Sequence, residues 1–343
     1  MRWAEQAIEV DDGGLPGLGR ADLVRSVTTP EFAGITFHEV LCRSLLNPVP
    51  VSSGMPFRFS VNTFRGCTHA CRYCFARPTH EYLDFDAGDD FNRQIVVKLN
   101  AAAVLRKELR RRSWSREVVG LGTNTDPYQR AEGRYRLMPP IIAALASSGT
   151  PFSILTKGTL LQRDVPLLRQ AADVVDVSLS VSLAMVDAEL AAQLDPGAPS
   201  PRARLDVIRA LAEAGFAPHV MVAPVVPYLT DSTAQLDVLL AEVAAAGAVS
   251  VSAIPMHLRG STRGWFLQWL ADEHPALLRR YRALYGRGAY VSNEYSARLA
   301  QRLRPLVARH GLVGQSGPVR PVEQGVVPSP APRPATMVEP TLF

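Results

Sequence analysis

Six short β-branched runs recur through the middle of the chain: FRFSVN (57–62), EVVGLGT (117–123), PFSILT (151–156), VVDVSLSVS (174–182), PHVMVAPVVP (218–227) and AVSVSAIPM (248–256). Each is bounded by Gly, Pro or Asp, as strands are. Between them, residues 95–112, 137–148, 164–172, 201–214 and 233–246 carry apolar side chains three and four positions apart, the spacing of amphipathic helices. In RARLDVIRALAEAG, Leu205, Ile208, Leu211 and Ala212 share one face and Gly215 supplies the stop. Strand alternating with helix predicts a parallel sheet with right-handed crossovers. Periodicity alone does not choose between an open α/β sheet and a partial barrel.

The flanks differ from this core. Residues 1–54 read as an N-terminal extension with a weak helical patch at FHEVLCRSLL and a Pro/Ser/Gly-containing exit, NPVPVSSG. The core unit runs over 55–260. In the region 261–313, GWFLQWLADEHPALLRRYRALY and SARLAQRLRPLVARHG have the pattern of two amphipathic helices. Residues 314–343 are proline-rich and unpatterned, the composition of a disordered tail.

Hydrophobic residues at 47% and charged residues at 20% describe a globular chain with a sizeable core. No apolar run reaches the roughly 18–20 residues of a membrane span, and MRWAEQAIEVDD lacks the apolar stretch of a signal peptide. A cytoplasmic protein without a membrane partner is the expectation. The net charge of +5 permits a polyanionic partner without requiring one. The densest basic run, RKELRRRSWSR (106–116), fits a solvated helix end whose cations complement the C-terminal dipole, or else a phosphate-binding patch.

Three of the four cysteines, Cys67, Cys71 and Cys74, fall within eight positions as C-x3-C-x2-C. Such crowding in a reducing compartment reads as a metal site rather than a disulfide framework. Zinc in a structural site takes four protein ligands, so His69 or His80 would have to complete the set. A cubane iron–sulfur cluster has four iron corners. Three thiolates leave one of them open to a further ligand. The motif directly follows the first strand, at the C-terminal edge of the expected sheet, where α/β proteins bind ligands.

In this company the sequence resembles the radical S-adenosylmethionine enzymes, and among them the branch related to spore photoproduct lyase, a DNA-repair enzyme. The resemblance spans about residues 55–260. It rests on RGCTHACRYCFARPTHEYL, GTNTDPYQRAE, SILTKG, LDPGAPSPRARLDVIRALAEAG and VMVAPVVPYLTD. It implies a partial (β/α)6 TIM-like barrel with a [4Fe–4S] cluster on Cys67, Cys71 and Cys74, and S-adenosylmethionine on the open iron. An external one-electron reductant of flavodoxin or ferredoxin type would feed the cluster. Reductive cleavage of S-adenosylmethionine then gives a 5′-deoxyadenosyl radical that abstracts hydrogen from a substrate, with DNA among the candidates.

The same resemblance suggests positions for the cofactor. Tyr73 and Phe75 are candidates to pack against adenine. Gly122, Thr123 and Asn124 end the second strand where relatives hold the methionyl amino group. Lys157 follows the third strand and would face the carboxylate. Ser178, Ser180 and Ser182 alternate along one face of the fourth strand, within reach of the ribose if that face is interior. Arg202 and Arg204 open the next helix, and either suits a carboxylate or phosphate. Asp126 and Tyr128, with His80 and Glu81, are candidates for substrate contacts, the first two also for catalysis. Each residue type has an ordinary structural use as well, and the sequence does not separate the two.

The pattern departs from the family at one point. Spore photoproduct lyase uses a further cysteine as hydrogen donor, whose place here falls on or next to Thr123, and no cysteine follows Cys74. Cys42 would have to reach in from the extension, or a tyrosine serve instead. Two further readings stay open: a radical enzyme modifying a protein, tRNA or metabolite, and a non-catalytic DNA- or partner-binding protein with a structural cluster. The terminal MVEPTLF resembles short peptides that dock an apolar pair on a replication sliding clamp.

Overall fold

Short β-branched runs cannot bury both faces alone, and here they do so by lining up side by side. The computed structural model describes residues 8–10 and 23–314. In chain order the strands are β1 (Ile8–Val10), β2 (Leu23–Thr28), β3 (Thr36–Val40), β4 (Asn47–Pro48), β5 (Phe59–Val61), β6 (Phe64–Arg65), β7 (Gln94–Lys98), β8 (Val119–Leu121), β9 (Phe152–Thr156), β10 (Val177–Ser182), β11 (His219–Val225), β12 (Ser250–Pro255) and β13 (Val313–Gly314). The larger sheet has the order β13-β12-β11-β10-β9-β8-β5-β4. All its neighbours are parallel except the pair β4–β5. The two edge strands do not pair with each other, so the result is an α/β partial barrel that stays open.

Register sets which side chains look inward. Val61, Leu121, Ile154 and Leu179 lie level across four strands and are buried beneath the helices, in one core with Leu105, Ile141, Leu168, Ile208 and Leu239. One residue earlier, Ser60, Gly120, Ser153 and Ser178 lie level on the opposite face. Because side chains alternate along a strand, this second face is the barrel interior, and it is floored by small residues. The outer helices begin where local chemistry tells them to. Pro201 stands at the first position of Pro201–Glu213, behind Ser200, whose side chain caps Ala203 N. Ser232 and Gln235 form a reciprocal capping box at Thr233–Ala245.

The extension departs from the sequence expectation. FHEVLCRSLL is not helical: Thr36–Val40 forms β3, in a second sheet of order β1-β2-β3-β7-β6. Its polar residues, which a helix would leave in solvent, are satisfied across strands. His38 bonds Ser26 and Gln94, and Glu39 accepts from Arg25 and Tyr135. Cys42 lies beyond that strand, its backbone paired with the Asn100 side chain. The helix expected over 95–112 is likewise shortened. Gln94–Lys98 is a strand, as the β-branched Ile95, Val96 and Val97 favour, and the helix is Ala101–Leu109. The first C-terminal helix breaks around Pro275 into Thr262–Glu273 and Leu278–Tyr285, and the second is Asn293–Arg309. Residues 315–343, which include the segment likened to a sliding-clamp peptide, lie outside the described residues. No helix among the described residues is long and apolar enough to cross a membrane.

One carboxylate ties the extension to the barrel. Glu108, buried in the helix Ala101–Leu109, accepts from Leu45 N and Leu46 N on the same oxygen, each at 3.0 Å. Replacing it by Ala strands two amide donors, so Glu108→Ala is expected to destabilise the fold by about 1–3 kcal/mol, measured as a lower unfolding midpoint in denaturant.

Candidate active site: a clamped cysteine loop

The cysteine loop leaves β5 at the C-terminal edge of the parallel sheet, and its neighbours fasten it from three directions. Asn62, at its root, accepts Thr123 Oγ1 and Asn124 N at 3.1 Å each. Gly122 makes that turn possible: its φ is +94°, and a Cβ there would stand 2.0 Å from Leu155 O. Further along the same segment, Thr125 Oγ1 donates to Gly66 O at 2.6 Å. Gln129 straddles Cys67, donating to Gly66 O at 3.2 Å and accepting from Thr68 N at 2.8 Å.

From the opposite side comes the segment after the helix Ala188–Leu194. Arg72 N donates to Leu194 O and Gly197 N to His69 O. A Cβ on Gly197 would lie 2.0 Å from Thr68 O, so the two backbones touch only because residue 197 is glycine. Beneath the loop, Arg77 is fully buried and all its donor nitrogens are engaged. Nε bonds Cys71 O, Nη1 bonds Ala87 O and Gly88 O, and Nη2 bonds Ala70 O and Asn92 Oδ1. Phe91 and Trp265 flank the guanidinium. Among the described residues no carboxylate forms an ion pair with it.

Cys67 and Cys71 are buried and Cys74 partly so. Burial pushes all three thiols up, and for Cys67 and Cys71 the charge of a neighbouring cysteine adds to the shift. Three thiols within eight residues of one loop, fastened to a buried guanidinium, are a donor set whose chemistry suits an anionic, thiolate-ligated cluster. No three His, Cys, Asp or Glu side chains among the described residues are arranged to hold a single ion. The histidines that zinc would require face elsewhere: His69 looks to Asp126 and Gly197 O, and His80 bonds Gln94 O.

Beside the thiols lies a buried network with Asp195 at its centre. Tyr73 donates its hydroxyl hydrogen to Asp195 Oδ1 at 2.5 Å. Lys157 Nζ stands 3.1 Å from the Tyr73 hydroxyl, 3.1 Å from Ser182 Oγ and 3.2 Å from Asp195 Oδ2. Arg204 donates through both terminal nitrogens to Asp195 Oδ2 at 3.1 Å. Burial would raise the Asp195 carboxyl, but Lys157 and Arg204 outweigh it and hold it well below the usual carboxylate range. Burial and the adjacent Asp195 push the Tyr73 hydroxyl up.

Several residues singled out in the sequence therefore converge: Tyr73, Lys157, Ser182 and Arg204 meet on one carboxylate, while Arg202 is exposed. Ser178 and Ser180 line the same inner face below Ser182, Ser178 being exposed. Phe75 stands 45% exposed, outside the network. Asp126 is a knot between loops. It accepts from Tyr128 N, Thr156 Oγ1 and Lys157 N, with His69 Nε2 at 3.2 Å, and these partners outweigh burial to keep it ionised. The Tyr128 ring is buried and borders a cleft of about 270 Å³ with His69, Arg130 and Gly197. His80 is buried and Glu81 exposed. Asn62, Arg77, Gln129 and Asp195 were not foreseen. Asp195 sits in LDPG, where Asp before Pro-Gly reads as a turn former.

An open parallel barrel with three thiols and a lysine–carboxylate network at its C-terminal edge defines the class of protein. The profile of the Radical SAM superfamily matches residues 61–240, and the chain belongs to that superfamily. An uncharacterised protein of Mycobacterium tuberculosis is 61% identical over 334 residues, covering 96% of this chain and 98% of its own. One of Mycobacterium bovis matches to the same extent. Among solved structures, a spore photoproduct lyase variant superposes with a TM-score of 0.63 at 18% identity, over 89% of this chain and 87% of that one. Another, with bound S-adenosylmethionine and dinucleoside spore photoproduct, gives 0.62 at 17% identity, covering 81% of each. The fold is thus that of spore photoproduct lyase.

Two substitutions probe the clamp. Gly197→Ala forces its methyl against Thr68 O and is expected to keep native circular dichroism while lowering the iron and sulfide retained after anaerobic reconstitution. Asp195→Ala leaves two buried cations without their carboxylate and is expected to cost about 3–5 kcal/mol, measured by denaturant unfolding.

Proposed function

We propose that this chain is a radical S-adenosylmethionine enzyme of the spore photoproduct lyase-like branch that acts on a nucleic-acid substrate. The observation that carries the catalytic part is the loop itself: three thiols on one short stretch of backbone, held by Gln129, Arg77 and Gly197. In this reading Cys67, Cys71 and Cys74 would hold a [4Fe–4S] cluster. Reduced by one electron and with S-adenosylmethionine bound, it would supply reductive cleavage of the sulfonium C–S bond, giving methionine and a 5′-deoxyadenosyl radical.

The protein's own residues orient and shield. Lys157, already positioned by Asp195 and Ser182, offers its ammonium to the incoming carboxylate. The turn Gly122–Asn124, fastened by Asn62, presents backbone at close range. Tyr73 is fixed by its bond to Asp195, its ring a wall beside the thiols. Ser153 and Ser178 keep their part of the inner face small, while the Phe57 ring packs over Gly120. Support for a nucleic-acid substrate comes from the shared fold and the net charge of +5. The absence of any cysteine after Cys74 favours a hydrogen donor other than a downstream thiol.

The test is anaerobic reconstitution with iron and sulfide, reduction with S-adenosylmethionine present, and an assay for 5′-deoxyadenosine. The wild-type chain is expected to form it and Cys71→Ala to form none. A cluster that assembles in the wild type without cleaving S-adenosylmethionine would instead favour a structural, binding role.

A further inference from the structure

Among the described residues three aromatic side chains stand out as exposed, Phe75, Tyr82 and Tyr290. Phe75 and Tyr82 share one turn, which touches the stretch around Gly260 beside the cysteine loop, and Leu258 N ties that stretch to Ala289, next to Tyr290. Pro78, in the turn carrying Phe75 and Tyr82, comes within 3.3 Å of where a Cβ on Gly260 would stand. Thr262 Oγ1 bonds Cys74 O at 3.0 Å.

Three rings and a guanidinium form a ladder leading away from the cysteines. Phe75, the residue after Cys74, lies 6.0 Å from His257 between ring centroids, and His257 lies 5.8 Å from Tyr290. Arg259 covers the Tyr290 ring at 5.2 Å and bonds its hydroxyl. The ladder is braced from behind: Leu258 N bonds Ala289 O, and Arg263 bonds Gly286 O and Gly288 O. Burial and the adjacent Arg259 push His257 down to about 4, so it is a neutral ring at physiological pH. Yet Phe75 is 45% and Tyr290 41% exposed. The rings are tilted rather than stacked on one another, at 45° and 38°, so much of the Phe75 and Tyr290 side chains stays in water although their neighbours hold them in place. A partner that fits has a flat π face and negative charge beside it, since the exposed Arg259 lies on the Tyr290 ring and Arg287, three residues before Tyr290, is exposed as well.

We infer that the Phe75–His257–Tyr290 ladder is a stacking platform for an unpaired nucleobase of a nucleic-acid strand, with Arg259 and Arg287 meeting its backbone phosphates. Unstacked bases lie on aromatic and guanidinium faces, and this one would be delivered along the ladder toward the cysteine loop. The inference deepens the nucleic-acid part of the proposed function, but docking needs neither reductant nor cleavage of S-adenosylmethionine.

The experiment uses full-length, cluster-loaded protein and a single-stranded DNA oligonucleotide carrying 2-aminopurine, with the matching duplex and a single-stranded RNA as further arms. The single strands are expected to bind with quenched 2-aminopurine fluorescence, and the duplex to bind more weakly. Tyr290→Ala is expected to weaken single-strand binding about tenfold, Tyr290→Phe to retain it, and both to form 5′-deoxyadenosine at the wild-type rate. Equal binding by wild type and Tyr290→Ala, a duplex bound as tightly as the single strand, or no binding at all would overturn the platform and leave the radical chemistry standing. Single-strand binding lost in Tyr290→Ala, by a wild type that never cleaves S-adenosylmethionine, would sustain the platform and overturn the proposed reaction.

Discussion

A fully buried guanidinium without a carboxylate is expensive unless every donor finds an acceptor. Arg77 meets that condition with four backbone carbonyls and one side-chain amide; two of the carbonyls, Ala70 and Cys71, belong to the cysteine loop and two, Ala87 and Gly88, to the segment beside it. The charge and the loop thus depend on each other. Burial pushes the guanidinium's proton affinity down, whereas negative charge arising on the nearby cysteines, Cys74 first, would favour its charged form. The cysteines adjoin a cation that draws its compensation from carbonyl dipoles.

The remaining contacts extend this arrangement to the sheet. Gln129 and Thr125 carry the loop's backbone to the end of β8, and Gly197 carries it to the segment before the helix Pro201–Glu213. Lys157 joins the end of β9 to Ser182 at the end of β10. Groups far apart in the chain reach one place because parallel strands present all their C-terminal ends at one edge. Glycine at 122 and 197 lets backbones come closer than any side chain permits. The chemistry-bearing atoms are therefore positioned by main chain as much as by side chain, which limits how far each can drift.

How much of this was legible follows from where each partner lies. The six parallel strands and their helices were visible because a strand's alternation and a helix's stripe are local patterns. The three cysteines were visible because their spacing is local too. FHEVLCRSLL misled because its apolar residues suit either period, and only pairing with β2 and β7 decides the matter. Asp195 and Asn62 were hidden for the same reason in stronger form. The partners of Asp195 are 122 residues upstream at Tyr73 and 38 at Lys157, and nothing in LDPG foretells them. Arg77 could not be told from a surface arginine, since its acceptors are carbonyls, which carry no sequence signature.

The network around Asp195 has a consequence for what can occupy the site. Lys157 and Arg204 bring two positive charges to a single carboxylate, so the buried trio is one negative charge short of neutrality. In a low-dielectric setting such an imbalance acts strongly on whatever enters. An anionic group entering beside Lys157 would bring the trio to neutrality, whereas a further cation would add to the excess, so the network itself favours one sign of charge at that position before shape is consulted.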